Sequence, residues 1–442
     1  MLNKNIIKSI QALALKIVAG LLSYLVFIVL ARILSADNYG QFAVYFSVLM
    51  LVALFGSLGQ SNFFLKQVEI TRLNGFSDKI VSSFSLYTNI IGILIGGIIW
   101  AFFLIYQSSN SIIVFLVGLL FIFLFSISQT FMGMLRSYGL VNYFVFVRDV
   151  LWRLLTLCMV YFLYVFSAEL GYESALVVFS IALIIPVTFC LSRLYYLGVL
   201  SFNFNDFSYG CKRGWLKVSF SLAIISIVSS SDGYLFNILT GYLFTVKEAG
   251  GFFASLKTIE LVSVFLMAVS LVFSKDYAYL LARRNVVALQ RKCNIAIVTQ
   301  TVPVLFCFSI IVFFGDIVLK LFNESFVEYL TLLKIMAVAM LINTLTGSTG
   351  SLMQLGGLHW THVKLQTLSI LIGILSAFPL SILYGVEGIG WAYLVSKIIW
   401  NFLAVYWIRN KIGIDPSIFA FFGNYNGCNK FLQSDIKHMS PI

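Results

Sequence analysis

Apolar residues along this chain do not alternate with polar ones. They run in long blocks separated by short polar links, and each block is long enough to cross the hydrocarbon core of a bilayer, which takes about 20 apolar residues in a helix. The pattern predicts twelve spans over 10–34, 39–65, 80–106, 112–135, 145–166, 175–199, 218–241, 250–274, 294–319, 331–355, 365–385 and 388–408. In lipid every backbone polar group must be satisfied within its own segment, so these blocks are read as helices. The period-two alternation of a β-barrel is absent. Pro186, Pro303 and Pro379 fall inside spans and mark places where a helix can kink.

The polar links suggest an orientation. If the N-terminus is inside, the inner links and span edges collect most of the 29 Lys and Arg, among them Lys4 and Lys8, Arg136 and Arg148, the Lys212–Arg213 pair, Arg283, Arg284 and Arg291, and Lys430 and Lys437. The outer links hold only Lys247 and Lys320. Cationic loops stay on the cytoplasmic side, so both ends are expected there. A weak repeat accompanies this arrangement. Laying Gly40 on Gly250, 210 residues on, also superposes Phe42 on Phe252, Leu51 on Leu261 and Val52 on Val262. The expected organisation is an N-terminal six-helix bundle over 1–199, a basic cytoplasmic linker over 200–217, a C-terminal six-helix bundle over 218–409 and a cytoplasmic tail over 410–442.

Composition sharpens the class. Of the 442 residues 60% are hydrophobic and 10% charged, and the mean hydropathy is +0.98, which excludes a soluble domain. The net charge of +12 then belongs to inner loops and not to a nucleic-acid surface. The six cysteines show no CxxC spacing, and His359 and His362 have no further ligands nearby, so neither a disulfide framework nor a metal site is expected. The stretch after Lys8 lacks a cleavage pattern and reads as a retained first helix.

Charges inside the spans are the candidates for chemistry, because an ion in hydrocarbon is costly and faces a cavity or a partner. The cations are Lys16, Arg32, Arg153, Arg193, Lys257, Lys334 and Lys397, and the deep acids are Asp232 and Glu260. Arg193 and Lys334 lie near span ends and can snorkel. Arg32 and Arg153 are intermediate in depth, open to either reading. Lys397 lies near the middle of the last span with Asn401 four residues on, which suggests a wet lumen face or else a polar clamp between helices. Lys16 shares its face with Gly20 and Ser23. Asp232 follows three serines. Lys257 and Glu260, at i and i+3, form either a neutralising pair or an ion relay. No nucleophile–base pattern, phosphate-cradling glycine loop or HExxH occurs. Outer links are too short for a catalytic domain, so no enzyme is expected.

Three stretches resemble a known family. Ala31-Arg32-Ile33-Leu34 with Asn38-Tyr39-Gly40-Gln41-Phe42, Glu248-Ala249-Gly250-Gly251-Phe252, and Tyr384-Gly385-Val386-Glu387-Gly388-Ile389-Gly390-Trp391-Ala392 are similar to motifs of the O-antigen flippases of the Wzx kind, in the multidrug/oligosaccharidyl-lipid/polysaccharide exporter superfamily. Ser35 and Phe252 replace the family's usual glycine and tyrosine, and Phe273-Ser274-Lys275-Asp276 stands where a proline is common. The resemblance implies a MATE-like pair of six-helix bundles that flips an undecaprenyl-pyrophosphate-linked oligosaccharide across a bacterial inner membrane by alternating access. It implies lumen or pyrophosphate contacts from Lys16, Arg32, Arg153, Lys257, Lys397 and Asn401, and Na+ or H+ coupling through Asp232 and Glu260, with no other cofactor. Membrane lipids, a polysaccharide polymerase and a chain-length regulator are the partners it brings with it. The competing readings are a multidrug antiporter of the same architecture, which would favour an acidic lumen, and an O-antigen polymerase or membrane glycosyltransferase.

Overall fold

The computed structural model describes residues 2–107, 111–166 and 170–421, with the side chains of residues 2–10, 12 and 13 left aside. The side chains of Lys4 and Lys8, and the tail residues Cys428, Lys430 and Lys437, therefore lie outside the described residues. The described chain is helical throughout, and twelve of its helices are long and apolar enough to cross a membrane. By packing it forms two compact units, 1–261 with 316–332 and 262–315 with 333–442.

The first unit holds α1 (Leu2–Ile33), α2 (Ala36–Gly56), α3 (Gln60–Leu73), α4 (Asp78–Tyr106), α5 (Ile112–Ser137), α6 (Val141–Phe144), a π-helical turn (Val145–Leu151), α7 (Trp152–Phe166), α8 (Tyr172–Ile181), α9 (Ile184–Tyr196), α10 (Phe204–Lys212), α11 (Trp215–Leu243) and the start of α12 (Val246–Ala282). The basic stretch expected as a linker forms α10, whose Phe207 stacks on Phe84 of α4 with ring centroids 5.7 Å apart.

The polar links cap the helices they join. Ser35 accepts a hydrogen bond from the Asn38 amide at 3.2 Å, and so starts α2. Thr245 does the same for Glu248 at 3.3 Å, and the Glu248 carboxylate accepts from the Thr245 amide at 2.8 Å, a reciprocal capping box that starts α12. The two caps lie 210 residues apart, as do the ends of α1 and α11 at Ile33 and Leu243. The glycines of the repeat face each other. A Cβ on Gly40 would lie 1.7 Å from the Val246 carbonyl oxygen, and one on Gly250 would lie 3.1 Å from Gly40 Cα. Tyr39, Phe42, Phe252 and Phe253 pack around this crossing, each fully buried.

Some expected helices are interrupted. The second span breaks between α2 and α3, where Leu58 and Gly59 take positive φ of 42° and 69°. The exposed carbonyl of Leu58 accepts from the Ser219 hydroxyl of α11 at 2.7 Å, so the break is satisfied inside the unit. The sixth breaks at Ala182–Leu183, three residues before Pro186, whose missing N–H cannot continue the ladder.

The second unit contains the rest of α12, most of α13 (Val286–Phe322), α14 (Leu330–Leu345), α15 (Thr349–Leu355), α16 (His359–Tyr384) and α17 (Val386–Ile412). Pro303 and Pro379 lie within continuous helices, and the non-helical backbone of α13 is at Phe314 instead. The tenth span breaks at Thr346–Ser348, between α14 and α15. A core of Tyr277, Cys293, Leu352, Met353, Trp400, Ala404 and Ile408 fills one end of this unit. The segment after α17 closes it. Asp415 is 1% exposed, its amide donates to Gln290 Oε1 at 2.7 Å, its carbonyl accepts from Gln290 Nε2 at 2.6 Å, and its carboxylate holds Arg409 and Ser417.

Candidate functional site

The π-helical turn leads directly into α7, which supplies Trp152, Arg153 and Thr156 to the site. An extra residue in the turn over Val145–Leu151 shifts the face of the helix, and such bulges recur at functional positions. Arg148 stacks on the Phe125 ring at 4.6 Å and pairs with Asp149 at 3.0 Å. Arg148, counted above among the inner links and span edges, sits with Asp149 within the helical run Val141–Phe166. Both are part of a packed helix. Arg153 of α7 donates from Nη1 to the Asp149 carbonyl at 2.7 Å and stacks on Trp152 at 5.4 Å. Its Nε is buried with no hydrogen-bond partner.

Arg153 forms part of the wall of a cavity of about 90 Å³ within the first unit, room for several waters or a phosphate-sized group. Five aromatic side chains line it, Phe27, Phe46, Trp152, Phe179 and Tyr234, with Val26 and Met50. Ser23 and Thr156 add hydroxyls. Lys257 and Glu260 of α12 complete it. Lys257 is 5% exposed, and its Nζ lies 2.7 Å from Glu260 Oε2 and 3.5 Å from the Tyr234 hydroxyl. The same Nζ sits 4.7 to 5.0 Å from the ring centroids of Phe253, Tyr234 and Phe27. Each ring face stabilises a desolvated ammonium by about 0.5–2 kcal/mol. The rings thereby shelter the lysine side chain in a largely apolar wall.

Of the residues singled out from sequence, the structure brings Arg153, Lys257 and Glu260 together. Lys16, Arg32 and Asp232, in the same unit, are not among the lining residues of the cavity. Lys16 is exposed on α1. Arg32 donates from Nε to the Leu321 carbonyl at 2.7 Å and from Nη2 to the Lys320 carbonyl at 2.9 Å, capping the end of α13. Asp232 is buried on α11, away from the cavity wall. Lys397 and Asn401 belong to the second unit. Lys397 lies over the Tyr393 ring at 5.1 Å. Asn401 is 1% exposed, donates to the Lys397 carbonyl at 2.8 Å and accepts from the Thr346 hydroxyl at 2.6 Å. It braces the break between α14 and α15. Sequence reasoning missed Tyr234, Trp152 and Phe27. Tyr234 follows Asp232 by two residues on an unusually polar span, which was a usable signal. The two rings look like any lipid-facing aromatic. Among the described residues no cluster of His, Cys, Asp or Glu could hold a metal ion.

No protein-family model matches the chain. No curated protein matches it in sequence either. Solved structures do match in fold. One is described as the inward-facing conformation of a multidrug resistance MATE family transporter of the MOP superfamily, with a TM-score of 0.69 and 15% identity over 91% of this chain and 98% of that one. The outward-facing conformation of such a transporter matches with a TM-score of 0.63 and 15% identity over 91% and 95%. A MOP superfamily transporter from Pyrococcus furiosus, described as having a binding pocket of reverse polarity that suggests a different function, matches with a TM-score of 0.64 and 15% identity over 91% and 95%. The chain thus has the MATE fold.

Proposed function

We propose that this protein is a membrane transporter that moves, and does not convert, an amphiphile with an anionic headgroup, of the polyprenyl-pyrophosphate-linked oligosaccharide class. The shared fold supports transport. The observation that carries the polarity of the substrate is the cavity wall, which includes both the Arg153 side chain and the ring-caged ammonium of Lys257. In a low-dielectric wall two such donors hold a phosphate oxygen far more strongly than in water. The cavity suits the phosphate. The glycan needs a larger aqueous path, and the prenyl tail stays in lipid. The Pyrococcus protein of this fold is described as having a pocket whose reverse polarity suggests a different function, which is compatible with an anionic substrate here.

The expected two six-helix halves, the bacterial inner membrane, Na+ or H+ coupling through Asp232 and Glu260, and partnership with a polymerase and chain-length regulator belong to the same proposal. A multidrug exporter is the second reading. It is favoured by the descriptions of the matching structures and by the Glu260 carboxylate, half exposed at the cavity.

Binding of radiolabelled farnesyl pyrophosphate and of tetraphenylphosphonium to the purified protein in detergent separates the two. The anionic reading expects saturable pyrophosphate binding that Arg153→Gln weakens about tenfold, the cost of one charge-assisted bond. Saturable tetraphenylphosphonium binding with none of the anion overturns it.

A further inference from the structure

The Lys257–Glu260 pair is lopsided. The ammonium side chain is 5% exposed, sheltered by three rings, while the side chain of its carboxylate partner is 44% exposed. A pair that served only to neutralise charge for insertion would gain nothing from leaving one member accessible. The rings stabilise the ammonium without neutralising it, so the carboxylate at 2.7 Å supplies the opposite charge. Both members line the same cavity, and the carboxylate is the more accessible of the two. Two cations and one carboxylate thus share one small wall, and the carboxylate already holds the Lys257 donor that an incoming anion would use.

Resting on the anionic reading above, we propose that Glu260 is a built-in occupant of the Lys257 anion site, displaced by the substrate's pyrophosphate and returning when it leaves. No bond is made or broken covalently. A phosphate oxygen takes over the Nζ donors of Lys257 with the Arg153 guanidinium in the same wall, while the Glu260 carboxylate turns away from the ammonium. One charge-assisted contact replaces another, so Lys257 is never left as an isolated buried charge, a state that is strongly destabilising. The competitor also lowers affinity, which a transporter needs in order to release its load. Lys257 is a ligand contact in this scheme. Glu260 is a positioning residue that tunes it.

The test uses the full-length protein in detergent, with inorganic pyrophosphate and farnesyl pyrophosphate as probes. Glu260→Gln removes the competing charge and is expected to bind both about tenfold or more tightly, and Lys257→Gln to lose that binding. Without ligand, Glu260→Gln leaves Lys257 short of its counter-charge and should melt below the unsubstituted protein. Pyrophosphate should restore the difference, a rescue that a merely structural salt bridge would not give. If Glu260→Gln folds too poorly, Glu260→Asp, which withdraws the carboxylate by one methylene, should shift affinity in the same direction. A preference for the farnesyl compound identifies a lipid headgroup, and equal binding a free anion. Unchanged pyrophosphate affinity in Glu260→Gln, with loss in Lys257→Gln, overturns the competitor role and leaves the anionic reading standing. If none of the proteins binds pyrophosphate and Glu260→Gln instead weakens tetraphenylphosphonium, both proposals fall.

Discussion

Arg32 spends its guanidinium on backbone. Two donors close the last carbonyls of α13, which would otherwise point into an apolar environment without partners. The guanidinium also complements the negative end of that helix. Arg32→Ala is therefore expected to lower stability by about 1–2 kcal/mol, read as a drop of several degrees in a detergent melt, with Arg32→Lys recovering part. Pyrophosphate affinity should not move, and a tenfold loss would return Arg32 to the binding site. Depth alone could not settle this residue, because a cation near a span end has the same hydropathy whether it snorkels, binds or caps. Asn401 is similar. Its spacing from Lys397 puts both on one face, but the Thr346 hydroxyl that claims its carbonyl comes from a helix break that the sequence does not show.

At the scale of elements, the twelve spans were legible because bilayer thickness fixes their length. Their interruptions were not. The break at Leu58–Gly59 falls where the second span turns polar over Gly56–Asn62, but its satisfaction by the distant Ser219 could not be read from the sequence, and the π turn at Val145–Leu151 has no sequence signature of its own. The repeat was visible as four matching letters. Its meaning, two glycines that let α2 and α12 cross at backbone contact, needed coordinates. The crossing is asymmetric, since a methyl on Gly40 overlaps the Val246 carbonyl at 1.7 Å while one on Gly250 meets Gly40 Cα at 3.1 Å. Gly40→Ala must push two helices apart and is expected to cut folded yield severely in fluorescence-detected size exclusion. Gly250→Ala needs a shift of a few tenths of an ångström, so its yield should stay close to that of the unsubstituted protein. Equal yields from the two variants would contradict the seam.

For the whole molecule, the fold constrains which face of the membrane each link occupies only through parity. If all twelve candidate spans cross, both ends lie on one side, and the charge of the links must say which side. The inner assignment collects the basic residues around α10 and between α12 and α13, such as Arg213 and Arg283, whereas the link before α8 is bare of Lys and Arg. Moving cationic links across an energised membrane opposes the potential, about 2.3 kcal/mol per charge at 100 mV, so a reversed chain would be penalised many times over. Two sites test this in a background with the native cysteines replaced. Gly171 has no atom within 4 Å of where its Cβ would lie, so Gly171→Cys is accommodated without strain. It should react with an impermeant maleimide added outside intact cells, and Arg213→Cys should react only after the cells are opened. The reverse pattern would place the basic links outside, where charge could no longer account for the orientation. A substrate loaded from the cytoplasmic leaflet would then have to enter from the opposite end of the chain's spans.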